Sequence, residues 1–137
     1  MGRLDEALDL QLQALHACAA EPDKHGDGQS IVLLNLGYVY FRRATLDKAE
    51  DTLQQARKLD EKLQPVFYAL ANLAILRGET EHGLRLHQEA LKLYRDEFGE
   101  QHHCVADSLF KVGETFLKLA REHKQSVPAV SMLSEAM

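Results

Sequence analysis

The residues best suited to chemistry in this 137-residue chain are its seven histidines and two cysteines. Three of them are consecutive, His102, His103 and Cys104, and zinc accepts ligand atoms of both kinds. Zinc sites draw those ligands from spaced pairs such as Cys-x-x-Cys or His-x-x-x-His, whose side chains converge on one ion. Adjacent residues at the entrance of a helix are expected to point apart instead. His82 and His87 are five apart, which separates them by about 140° around a helix. No glycine-rich phosphate loop, nucleophile elbow or acid pair at a strand end occurs. The expectation is therefore no catalytic residue, no metal site and no cofactor. Cys18 and Cys104 lie 86 residues apart and are expected as free thiols, because a disulfide framework uses more cysteines in a smaller chain.

The elements that carry these residues are legible from a recurrence of small side chains. Ala7 and Ala14, Ala49 and Ala56, Gly83 and Ala90, and Ala129 and Ala136 each stand seven apart. Ahead of the middle two pairs lie the near-parallel segments 33–40 and 67–74. Gly37 and Ala71 are 34 residues apart, and so are Ala49 and Gly83. A fixed period of that length belongs to stacked supersecondary units. Small residues at helix crossings let two antiparallel helices approach, while large apolar ones fill the grooves between ridges. Glycine within a helix costs about 1 kcal/mol relative to alanine, so Gly37, Gly83 and Gly113 read as packing requirements. Seven helices are expected, over about 3–19, 30–43, 46–60, 65–77, 80–96, 104–121 and 127–136. Turn formers fill 21–28, Ser30 suits an N-cap, and Gly78 and Gly99 suit turns or helix ends. Pro22, Pro65 and Pro128 fall at helix edges, where proline is tolerated. No stretch alternates at period two, so no sheet is expected.

These residues resemble the tetratricopeptide repeat family. Leu33, Leu36, Gly37, Tyr40, Ala49, Leu53 and Ala56 meet its pattern throughout. Phe67, Leu70, Ala71, Ala74, Gly78, Gly83 and Ala90 meet most of it, with Ala74 in the aromatic position and His87 in an apolar one. Leu109, Val112, Gly113 and Phe116 open a further unit that closes on Ala129, Leu133 and Ala136 after an extended turn. Gly2, Leu4, Ala7 and Ala14 form a second helix without a first. The resemblance implies an all-α fold, a right-handed α-α superhelix of about three and a half units in one array over 1–137. Its parts are a lone helix at 3–19, full repeats at 30–60 and 65–96, and a divergent repeat at 104–136.

Ala7 to Ala49, and Ala71 to Gly113, are steps of 42. The longer junction 98–109, with Gly99, His102 and the pair Val105-Ala106, looks like that of the kinesin light chain group. His103 stands where that group has proline, and its characteristic first-helix asparagine survives only as Asn35.

Composition narrows the partners. Sixteen basic residues face 21 acidic ones, a net charge of −5, whereas nucleic acid calls for a basic stripe. No apolar run approaches the ~20 residues of a membrane span. Residues 1–6 lack the apolar core of a signal peptide, and Glu6 occupies the Ser/Thr position of a myristoylation signal. No nucleic acid and no membrane partner is expected, and the cytoplasm is the expected compartment.

The remaining function is a binding surface. In the resembled architecture the first helices line a concave groove. Its exposed positions here would be Ile31, Leu34, Asn35, Tyr38 and Phe41, then Pro65, Tyr68, Ala69, Asn72 and Ile75, then Asp107, Phe110, Lys111, Glu114 and Lys118. Leu34, Asn35, Tyr38, Phe41, Tyr68, Asn72, Phe110 and Lys111 are the groove candidates for a peptide of a partner protein, with Lys111 favouring an acidic ligand residue. Rings give contact area at low entropic cost, and amides pair with a ligand backbone. Relatives that grip the C-terminal carboxylate of chaperones use Lys and Asn, then Asn, then Lys and Arg. The matching residues are Leu34 and Tyr38, Ala69, then Asp107 and Lys111, so only Lys111 fits and a more apolar peptide is expected. A second expectation is self-association through terminal helices, since Leu8, Leu12 and Leu15 at one end and Val130, Met132 and Leu133 at the other lack a polar cap.

Overall fold

The hairpin pattern forms helices in a computed structural model of the chain, which describes residues 2–20 and 28–126. Among these residues there are six helices and no strand: α1 (Arg3–Ala20), α2 (Gly28–Arg42), α3 (Leu46–Leu59), α4 (Gln64–Leu76), α5 (Thr80–Phe98) and α6 (His103–Ser126). The seventh expected helix, over 127–136, lies outside the described residues, as do Pro22 and Pro128. Two boundaries depart from expectation. Ser30 is not a cap: α2 begins at Gly28, and Ser30 is buried within its first turn. Helix α6 runs five residues past 121, because Glu122 to Ser126 contain no helix breaker. The Thr80 hydroxyl of α5 also donates to Glu122 Oε1 at 2.8 Å.

Each helix packs on its sequence neighbours, and α2 also touches α4. The core runs through the four middle helices. Leu33, Leu34, Leu53, Ala56, Val66, Phe67, Leu70, Ala71, Leu86 and Ala90 form one buried cluster, with Leu15 of α1 packed against it. Small residues set the helix separation. A Cβ on Gly37 would lie 2.6 Å from Leu53 Cδ2, and one on Gly83 would lie 2.5 Å from Ile75 Cγ1 and 3.0 Å from the Ala71 carbonyl oxygen. Ala49 and Ala56 are fully buried at the matching positions of α3.

The turns inside the two complete hairpins repeat as well. Ala44 (φ 62°) and Gly78 (φ 87°) stand 34 residues apart in the left-handed region. After each, a backbone N–H reaches five residues back: Thr45 to the Tyr40 oxygen at 3.0 Å, and Glu79 to the Ala74 oxygen at 2.8 Å. This is the hydrogen-bond pattern that ends a helix while satisfying its last carbonyls. The residues just before them repeat an ion pair. Arg43 meets Asp5 of α1 at 3.2 Å, and Arg77 meets Asp47 and Glu50 of α3.

Gly113 on α6 breaks the pattern informatively. A Cβ there would meet nothing within 4 Å. Leu109, Phe116 and Leu117 beside it are exposed. Gly113→Ala should therefore raise stability by about 0.5–1 kcal/mol through helix propensity alone, whereas Gly37→Ala should lower it by about 1–3 kcal/mol through overpacking against Leu53. Urea unfolding of the two variants beside the parent chain measures both, and shifts of the same sign would refute the packing assigned to α2 and α3.

Candidate functional site

The first helices α2 and α4, together with α6, present one wall. On α2, Asn35 is exposed, Tyr38 keeps 41% of its surface and Phe41 is half-buried. On α4, Tyr68 and Asn72 are half-buried. On α6, Phe110 is exposed and Lys111 half-buried. Two positions expected to be open are closed. Leu34 and Ala69 are buried in the central cluster, because α2 and α4 touch directly and their facing side chains fill that seam. The charge on α6 also differs from expectation. Lys111 Nζ lies 3.2 Å from Glu114 Oε1, so its charge is already partnered, while Asp107 on the same helix is exposed and without an ion pair among the described residues.

Tyrosines join the helices across this wall. Burial, and then the neighbouring Tyr68 phenol, push the Tyr38 hydroxyl above its ordinary pKa. Burial likewise raises Tyr68, with Lys111 opposing and Asp107 and Glu114 adding to the rise. Tyr94, on the last turns of α5, is pushed up to about 12, chiefly by burial and then by Cys104, Tyr38, Tyr68 and Asp107. Tyr94 was missed from the sequence because it lies beyond the part of the second helix that the repeat pattern covers. The signal that could have found it is the longer 42-residue junction, which α5 fills with extra helix.

His87 occupies the position in α5 that Leu53 holds in α3. It has no exposed surface, and neither ring nitrogen has a partner. Its ring meets Tyr68 edge-on at 5.0 Å and 79°. Desolvation, then Lys111, lower its pKa to about 4 against a partial opposing effect of Glu114. It is a neutral packing residue and no ligand.

The consecutive His102, His103 and Cys104 do not diverge as expected, since their ligand atoms lie within 4.8 Å of one another. His102 stacks between Phe98 and His103, at 4.2 and 4.4 Å. Its Nδ1 accepts the Cys104 N–H at 3.1 Å. A neutral imidazole has one lone pair to offer, and here it serves the first turn of α6. Cys104 Sγ lies 3.6 Å from His103 Nε2. Both cysteines are free. A cleft of about 940 Å³ runs between the start of α5 and the end of α6 along Phe116, Leu119 and Ala120. Its other side carries Glu79, Glu81, His82, Arg85, Glu122 and His123, so charges of both signs face that apolar strip.

Antiparallel helix pairs with small residues at their crossings, stacked so that each meets only its neighbours, define a helical-hairpin repeat protein. Residues 1–62 match the family model of the tetratricopeptide repeat, which supports placing the chain in that family. No curated protein matches the sequence. Repeats of this family generally mediate protein–protein interaction and are generally non-enzymatic. No described helix is long and apolar enough to cross a membrane.

The His87 environment has a measurable consequence. A folded-state pKa lowered from 6.5 to about 4 means that protons bind the unfolded chain more tightly. The associated stability is complete above pH 6.5 and is lost as pH falls towards 4. Between pH 7 and pH 4 the parent chain should lose about 3 kcal/mol more than His87→Leu. Urea titrations at several pH values check this, and parallel pH profiles for the two proteins would exclude a buried neutral imidazole.

Proposed function

We propose that this chain is a non-enzymatic adaptor module that holds a peptide segment of a partner protein in the groove formed by α2, α4 and α6. The observation that carries this reading is a row of partly open tyrosines on three helices, the exposed Tyr38 and the half-buried Tyr68 and Tyr94, the latter two lining one cavity. Asn35 and Asn72 add amides that can pair with an extended backbone. The repeats wind as a right-handed solenoid of about three and a half units, with the longer spacing of the kinesin light chain-like subgroup at the α5–α6 junction. Two free thiols suit the reducing cytoplasm as its compartment. The residues proposed to contact the peptide are Asn35, Tyr38, Phe41, Tyr68, Asn72, Phe110 and Lys111, with Leu34 supporting them from the core.

Truncating a well-packed anchor costs ~2 kcal/mol or more, roughly thirtyfold in affinity. Tyr38→Ala combined with Asn72→Ala should therefore abolish peptide capture while leaving helix content by circular dichroism unchanged. A folded double variant that still binds would move the ligand to another surface.

Among the described residues α6 leaves an apolar face open, which supports a second reading. Leu109, Phe116 and Leu117 are exposed beside an uncrowded Gly113, and Leu4, Leu10 and Leu12 are exposed on α1. Apolar faces of this kind mark interaction sites, so a structural subunit would associate through these two faces. Sedimentation velocity would then show a concentration-dependent oligomer that Leu109→Glu with Phe116→Glu dissolves. A monomer at all concentrations excludes it.

A further inference from the structure

Between α4, α5 and α6 lies a cavity of about 260 Å³ lined by Tyr68, Tyr94, Cys104, Asp107 and Ser108. Its volume suits one large side chain and its chemistry is one-sided. Ser108 is fully buried, and its hydroxyl has no hydrogen-bond partner. A buried polar group left unpaired is unfavourable by an amount comparable to a lost hydrogen bond. Asp107 supplies a carboxylate with no ion pair among the described residues, and Tyr68 and Tyr94 supply two aromatic rings. No cation lines the cavity, and the lysine of the adjoining wall is held by Glu114 at 3.2 Å.

We infer that this cavity is a subsite for an arginine side chain of the bound peptide. The inference rests on the groove reading and adds the ligand chemistry that the groove selects. A guanidinium carries five donors in a fixed plane and no acceptor. It can pair with Asp107 and lie against a tyrosine ring, where a cation is attracted by the ring quadrupole. A lysine ammonium is a compact point charge without the planar face that stacks on a ring while pairing a carboxylate. An acidic side chain meets Asp107 with like charge, and an apolar one leaves that carboxylate without a counter-charge. The net charge of −5 favours encounter with a cationic segment in the same sense.

The test uses a positional-scanning library of N-acetylated, C-amidated octapeptides captured by the purified chain. The best binder is then measured by fluorescence anisotropy, with its arginine or with the isosteric, uncharged citrulline. The expected result is arginine enriched at one position. Citrulline should weaken binding about tenfold to the parent chain but less than about twofold to Asp107→Asn, as a coupled pair requires. Asp107 is exposed, so this variant retains the fold, which circular dichroism verifies. Peptides captured without an arginine preference, or an equal citrulline effect on both proteins, overturn the subsite and leave the groove reading standing. A library with no enriched peptide overturns the groove reading, and the subsite with it.

Discussion

The approach of paired helices at Gly37 and Gly83 is the constraint on which the rest of the architecture depends. At Gly37 the space for a single methyl is taken by Leu53, and at Gly83 it is taken by Ile75 and a backbone carbonyl. Helices this close bury Leu33, Leu70, Leu86 and the alanines between them without needing a large core. The same approach fixes the separation of successive first helices. Tyr38 and Tyr68 are therefore brought within electrostatic reach of each other while remaining partly open to solvent.

His87 shows how much one substitution within this frame changes. The crossing position filled by Leu53 in one unit is filled by imidazole in the next, and the ring is sealed with both nitrogens unpaired. Tyr68, which lines the cavity, meets it edge-to-face. A leucine there would pack as well but would offer Tyr68 no edge-to-face partner. A local concession in polar satisfaction thus sets an aromatic partner against a ring that lines the cavity.

Much of the fold was legible because close approach leaves a mark on residue type. The small pairs at fixed spacing located α1, α3 and α5, and the left-handed turn at Gly78 announced itself by its glycine. Its counterpart at Ala44 did not, since alanine in that conformation carries no sequence signature. The wall was legible in part. Tyr38, Tyr68 and Asn72 follow from helical register, and they are at least partly open as expected. Leu34 and Ala69 fail because register alone does not state how near the adjacent first helix lies. Tyr94 and Ser108 were invisible for another reason: they belong to the junction where the period changes. Lys111 misled because its partner Glu114, one turn away, neutralises a charge that looked available.

Helix α6 is the longest of the described helices, at 24 residues, and both ends are engaged. Near its start Cys104, Asp107 and Ser108 form one side of the cavity. Near its end Glu122 accepts the Thr80 hydroxyl. Fourteen residues separate Ser108 from Glu122, about 21 Å along a continuous helix. The cavity also takes in Tyr94 near the end of α5, whereas Thr80 opens that helix. One continuous helix therefore braces its predecessor at both ends, across the junction where the period of the array changes.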